Sequence, residues 1–198
     1  YAKVDVGLLY AEALASAKQY AQAVRVLDDL VARHPKQAAA ARWKLISIHR
    51  LQGNRKDWLW ALAGQLAADQ ADTQSARDEL AQLPEADAGR LLDDVLKQPP
   101  TVTGSAPAEH RRDAGATDTR AVVMSARYCC LGWLADRLNR VDDAQTLFDR
   151  ALRADAGFTP ALVGVAELWM HRCKWDKALA VLKATKTDDA ARQVQVSR

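Results

Sequence analysis

The chain has 198 residues, of which 49% are hydrophobic and 27% charged, and its 28 basic and 25 acidic residues leave a formal net charge of +3. This composition is ordinary for a globular chain. The near balance of charge argues against nucleic-acid binding, which needs a concentrated basic face, and no apolar run approaches the ~18 residues that insert into a membrane.

The cysteine content bears on the compartment. Cys129, Cys130 and Cys173 are too few, and odd in number, for a disulfide framework. Reduced thiols are typical of a cytoplasmic protein, and a periplasmic location stays open if the chain is a processed fragment. We expect a fragment or a processed product, because the sequence starts at Tyr1 rather than Met and stops abruptly at Arg198.

Apolar residues at helical spacing predict a first helical hairpin over residues 5–34. The marked positions of its second helix and the residue that ends it are Tyr20, Ala23, Leu27, Leu30 and Pro35. This order of an aromatic residue, a small alanine, large apolar residues and a proline resembles the second helix of a tetratricopeptide repeat. Leu30 departs from the small residue that the family prefers where two helices cross.

The middle of the chain follows the pattern less well. A second hairpin is predicted over residues 38–70 with its turn at Gly53–Asn54, and Trp58 stands where the family prefers alanine, so we expect locally altered packing. Two short helices, 73–83 and 86–97, form a degenerate third hairpin. Residues 98–118 predict a loop or linker, either an insertion or a seam between two repeat blocks.

The repeat is clearest near the C-terminus, in hairpins predicted over residues 119–155 and 159–185. Ala144 recurs 34 residues later as Ala178, and the same shift carries Phe148 onto Leu182. A period of about 34 residues is that of the tetratricopeptide repeat. A further helix over residues 187–198 is expected to cap the last hairpin.

The resemblance to the tetratricopeptide repeat family implies an all-α, right-handed superhelical solenoid of helix–turn–helix hairpins. Its parts are N-terminal hairpins in residues 1–97, the loop 98–118, and C-terminal hairpins with a capping helix in residues 119–198. Such solenoids are protein-binding scaffolds that take a partner peptide or helix in their concave groove. Self-association through exposed apolar surface stays open.

The resemblance also places ten first-helix side chains on the concave side. They are Trp43, Lys44, Ser47, Arg50, Trp133, Asp136, Arg137, Glu167, Met170 and His171. Aromatic side chains are favoured as binding hot spots, whereas ordinary solvated helix charges are the alternative for the charged members. Trp169 and Trp175 occupy core positions of the repeat, where burial is expected. The basic clamp with which one subclass of the family holds a terminal carboxylate is absent.

No residue pattern predicts catalysis, a cofactor or a bound metal. The sequence has no glycine-rich phosphate loop and no H-E-x-x-H motif. Cys129 and Cys130 are expected ~15 Å from Cys173, beyond the reach of a shared zinc site or disulfide.

A second hypothesis, from a different functional class, is that the chain is the helical part of a larger bacterial cell-envelope secretion or polysaccharide-export assembly. Nucleic-acid binding, a third hypothesis, would require salt-sensitive affinity.

Overall fold

The computed structural model describes residues 2–35, 38–97 and 119–183, which form helices and turns without a strand. The helices are α1 Ala2–Ser16, α2 Tyr20–Arg33, α3 Ala39–Leu51, α4 Arg55–Ala68, α5 Thr73–Ala81, α6 Glu85–Lys97, α7 Thr119–Arg137, α8 Val141–Ala154 and α9 Thr159–His171. A further helix, α10, is described over 175–183. The predicted all-α repeat fold is confirmed. The predicted linker 98–118 and terminal helix 187–198 lie outside the described residues.

The helices stack in the order expected of a repeat array. α1 packs on α2, α3 on α4, and α7 on α8. The second helix of each of these pairs then packs on a later first helix, so that α2 contacts α3, α8 contacts α9, and α4 contacts α7. The contact between α4 and α7 means that the second hairpin adjoins α7 directly, and that α5 and α6 are inserted between two neighbours of the stack.

Four turns share one backbone geometry, and this geometry sets the register of the repeat. Lys18, Gly53, Asn139 and Cys173 have positive φ angles of 60, 69, 56 and 55°. In each turn the N–H of this residue donates to the carbonyl three positions earlier, and the next N–H donates to the carbonyl one position before that. Such bonds satisfy the last carbonyls of a helix. Asn139 and Cys173 are 34 positions apart, so the repeats of structure and sequence agree.

Helix crossings depend on small residues, although not always where the sequence pattern places them. Leu30 stands where the family has a small residue, and the glycine lies on the opposite helix instead. A Cβ atom at Gly7 of α1 would come within 2.8 Å of Leu30 Cδ1. The small residue at this crossing is thus Gly7 on α1 instead of a residue on α2, and the two helices can still pack closely.

The last helix corrects one sequence prediction. Trp175, expected in the core, is 55% exposed. The expectation is wrong because a core position of the repeat is buried only where a neighbouring helix packs on it, as α9 packs on α8. Trp169 is half-buried against the core, with the Nζ atoms of Lys174 and Lys177 5.3 and 4.6 Å from the centre of its ring. The helices in the described ranges are too short or too polar for any of them to cross a membrane.

Candidate interaction surface

An open cleft lies where the C-terminal ends of α7 and α9 meet the start of α8. It has a volume of about 570 Å³ and is lined by Asp136, Arg137, Asn139, Val141, Leu168, His171 and Arg172. We call it the α7–α9 cleft. His171 Nδ1 lies 3.7 Å from Asp136 Oδ2 across the opening. Three residues that the sequence nominates for partner binding, Asp136, Arg137 and His171, are thus brought together here.

The charge of the α7–α9 cleft is mixed, with an excess of positive groups. Arg137 and Arg172 line it together with the single carboxylate of Asp136. Burial raises the pKa of Asp136, while the charges of His171, Arg77 and Arg172 oppose that shift and Glu167 adds to it. Two permanently charged guanidinium groups against one partly buried carboxyl favour an acidic group in the cleft.

Arg137 is fixed in place by the inserted helices. Its guanidinium donates hydrogen bonds to the carbonyl oxygens of Leu80 and Leu83, which lie at the end of α5 and in the turn that follows. Charged donors bind carbonyls more strongly than neutral donors do. The side chain therefore forms a rigid edge of the cleft and still contributes its full positive charge.

α5 covers the predicted site residues Trp133 and Glu167. The Trp133 side chain is only 5% exposed, and the guanidinium carbon of Arg77 stands 5.1 Å from the centre of its ring. Arg77 also forms a two-pronged ion pair with Glu167 of α9, in which its Nη1 atom lies 2.9 Å from Glu167 Oε1. Trp133 and Glu167 are thus joined through Arg77 of α5, whose guanidinium lies over the Trp133 ring.

The predicted residues of the second hairpin face separate neighbours instead of the cleft. Trp43 packs partly buried against the core, and Ser47 donates to its carbonyl at 3.0 Å. Lys44 pairs with Glu12 of α1 at 2.9 Å. Arg50 binds Glu79 and Gln82 in and after α5, at 3.0 and 2.6 Å. Met170, by contrast, is exposed at the end of α9, beside His171 of the cleft.

Sequence reasoning missed the role of α5. Arg77 and Glu79 lie in a segment that departs from the repeat pattern, so no position in the pattern nominates them. One signal was available in the sequence: Trp58 stands at a position where the family prefers alanine. In the structure, its indole Nε1 donates a hydrogen bond to Glu79 at 3.2 Å. The bulky, hydrogen-bonding side chain in a position that usually holds alanine marks the place where α5 joins the stack. Arg172 was missed because it lies just beyond the end of α9.

Comparison with known proteins identifies the C-terminal part of this architecture. Residues 137–196 match the family model of the tetratricopeptide repeat. This segment is a tetratricopeptide repeat. It spans α8 and α9 and the described part of α10, and it contains His171 and Arg172 of the cleft. Neither the search of curated proteins nor the search of solved structures found a match.

Proposed function

We propose that this chain is a non-catalytic interaction scaffold that binds a peptide or helix of a partner protein across the α7–α9 cleft. Tetratricopeptide repeats generally mediate protein interactions, and the cleft opens between two first helices of the array. The observation that carries the proposal is that this open space is lined by charged and polar side chains from the C-terminal ends of both helices, with His171 and Asp136 3.7 Å apart.

The chemistry of the cleft favours a partner segment with acidic side chains and a short apolar stretch. Arg137 and Arg172 supply positive charge, and Val141 and Leu168 supply apolar surface at the same opening. Charge of this kind steers encounter and fixes the register of a bound segment. Because the lining side chains stand on packed helices, binding would require little change of backbone shape.

The inserted helices limit how far the partner contact extends. α5 already occupies the surface over Trp133 and Glu167 through Arg77. A partner would therefore contact the helix ends around Asp136 and His171, with the exposed Met170 at the rim. Thioether side chains adapt to varied apolar partners, which suits the edge of a peptide-binding surface.

The proposal is tested by capturing partners with the intact chain and measuring the affinity of each captured protein. The variant Arg172→Glu reverses a charge at the cleft, and Arg153→Glu reverses an exposed charge in the last turn of α8 as a matched control. We expect Arg172→Glu to weaken binding by about tenfold or more, the equivalent of about 1.4 kcal/mol, and Arg153→Glu to leave it unchanged. Equal affinity of both variants and the wild type would exclude the cleft as the binding surface.

A further inference from the structure

α5 is attached to the repeat array as a separate short unit. α4 packs directly on α7, so the stack continues without it. Ala76 and Leu80 are the buried members of its nine residues, whereas Gln74, Ser75 and Asp78 are exposed. A helix of this length is unstable in water on its own. Its helical conformation therefore depends on the surface on which Ala76 and Leu80 lie.

Glu79 ties one side of α5 to the second hairpin. Its carboxylate accepts two hydrogen bonds from Arg50 of α3, at 3.0 and 3.2 Å, and one from the Trp58 indole of α4, at 3.2 Å. The Glu79 side chain is only 12% exposed. Solvent therefore screens this carboxylate little, and its hydrogen bonds to the charged guanidinium are of the stronger kind.

Arg77 ties the opposite side of α5 to the C-terminal hairpins. Its guanidinium lies over the Trp133 ring of α7 and forms the ion pair with Glu167 of α9. Each residue turns a helix by about 100°, so Arg77 and Glu79, two positions apart, point in nearly opposite directions. α5 is therefore held between two walls, one formed by α3 and α4 and the other by α7 and α9. We call the space between these walls the α5 groove.

The α5 groove also binds the backbone of α5. Arg137 of α7 donates hydrogen bonds to the carbonyl oxygens of Leu80 and Leu83, at the C-terminal end of the helix. The last carbonyls of a helix have no partner within it and carry partial negative charge. A guanidinium group satisfies both needs. Because the contact is to backbone atoms, Arg137 can hold the end of any helix that stops at this point.

Four of the residues that hold α5 are residues that the sequence nominates for partner binding. They are Arg50, Trp133, Arg137 and Glu167. The surface that the repeat pattern assigns to a partner thus already binds a helix, and that helix belongs to the same chain. The indole Nε1 of Trp133 is buried without an acceptor among the residues that the structure describes. An unpaired buried donor costs free energy, so a helix that supplied an acceptor there would fit better than α5.

We propose that the α5 groove is a helix-binding site and that α5 is its built-in occupant, which a partner helix of the same chemistry displaces. Such a helix carries an alanine and a leucine four positions apart, with an arginine directly after the alanine and a glutamate directly before the leucine, as α5 does in residues 76–80. Its C-terminal carbonyls face Arg137. The inference goes beyond partner binding at the α7–α9 cleft, which is open with α5 in place.

The connections of α5 allow this exchange. Residues 69–84 link α4 to α6 and reach about 50 Å when extended. α5 can therefore leave the groove while α4 and α6 stay packed. The tether also keeps α5 at a high effective concentration beside the groove, so a separate helix competes at a disadvantage until α5 is released.

A fluorescent peptide of residues 72–84 tests the proposal, with its binding to the full chain measured by anisotropy. In the wild type the apparent affinity is reduced to the fraction of chains whose groove is free. Leu80→Asp places a charge on the buried side of α5, and we expect it to bind the peptide about tenfold more tightly or better. Ser75→Asp places the same residue on the exposed side and should bind like the wild type. A peptide carrying Arg77→Ala and Glu79→Ala should bind to none of these chains.

Hydrogen exchange shows whether α5 is released alone. In Leu80→Asp, and in Arg77→Ala, which keeps the apolar side of α5, the amides of α5 should exchange faster while α4 and α7 keep their protection. Equal peptide affinity for the wild type and both variants, or a loss of protection in α4 and α7 whenever α5 loses it, overturns the proposal. Arg172→Glu at the α7–α9 cleft should leave peptide binding unchanged, so failure of the cleft assignment and failure of the α5 groove give different results.

Discussion

The ring of Phe148 lies directly against Gly164: a Cβ atom built on Gly164 would stand 2.5 Å from Phe148 Cε1. Gly132 approaches the same ring from α7, where a Cβ atom would stand 2.6 Å from Cε1. Phe148 of α8 thus fits between α7 and α9 because both helices lack a side chain at the point of contact. Because neither glycine has a side chain, α7 and α9 can both pack closely on the Phe148 ring in the part of the chain that best matches the repeat.

We expect Gly164→Ala to lower the free energy of unfolding by about 1–3 kcal/mol, as overpacking of a filled core does. The ring of Phe148 is 1% exposed, so it has no route to solvent, and Gly132 limits movement toward α7. Urea unfolding followed by circular dichroism measures the loss. The double variant Gly164→Ala with Phe148→Leu should lose less than the sum of the two single changes, because a smaller side chain makes room for the methyl group.

A matched control comes from Gly64 in the interior of α4, where an added Cβ atom would meet nothing within 4 Å. Alanine is the better helix former by about 0.5–1 kcal/mol. Gly64→Ala is therefore expected to raise stability. If Gly64→Ala and Gly164→Ala changed stability in the same direction, the contact with Phe148 would not be the cause of the loss.

The repeated turn predicts a stabilising substitution at Lys18. Its φ angle of 60° lies in the left-handed region, which costs a residue with a side chain about 1–2 kcal/mol. Lys18→Gly removes that cost, and part of the gain is lost because glycine makes the unfolded chain more flexible. A net gain of about 0.5–1 kcal/mol should appear as a higher melting temperature. Gly53→Ala should have the opposite effect, and a loss of stability in both variants would contradict this account.

The sequence predicts those parts of the fold that depend on residues close together in the chain, such as the ends of helices and the turns. Pro35 follows the end of α2 closely, Pro160 lies in the first turn of α9, and Gly53 adopts the left-handed turn. The compensation of Leu30 by Gly7 and the cover of Trp133 by Arg77 depend on contacts between separate helices. Arg77 and Glu167 are 90 residues apart, and no periodic pattern relates them. The cleft could be located in part because Asp136 and His171 occupy equivalent ends of repeated helices.

Removing the ion pair between Arg77 and Glu167 should loosen the inserted helix more than the rest of the stack. The side chains are 28% and 30% exposed, so solvent screens the pair only in part, and Arg77 also loses its contact with Trp133. We expect Arg77→Ala to cost about 1–2 kcal/mol and to speed hydrogen exchange in α5, while α8 keeps its protection. Arg33→Ala breaks a pair whose side chains are 71% and 51% exposed and should change little. Uniform loss of protection in α5 and α8 would argue against a local role.

The buried thiols predict a loss of stability in alkaline solution. Burial raises the pKa of Cys130 to about 12 from an ordinary value of 9.0. Burial is also the main cause of the raised pKa of Cys129, and the negative charge that Cys130 would carry as a thiolate raises it further. In the unfolded chain these thiols lose their protons near the ordinary value. Their contribution to stability is therefore complete below about pH 9 and is lost as the pH rises toward the folded pKa, by up to about 1.4 kcal/mol per pH unit for each thiol.

Urea unfolding in reducing buffer between pH 7.5 and pH 10 checks this expectation. The wild type should lose stability more steeply above about pH 9 than Cys130→Ala does, since the variant lacks one of the two raised pKa values. A thiol reagent gives an independent measure at neutral pH: it should modify the exposed Cys173 in the folded protein and reach Cys129 and Cys130 only on unfolding. Parallel pH profiles for the two proteins, or three fast-reacting thiols in the folded state, would show that the α7 cysteines are not held in a dry core.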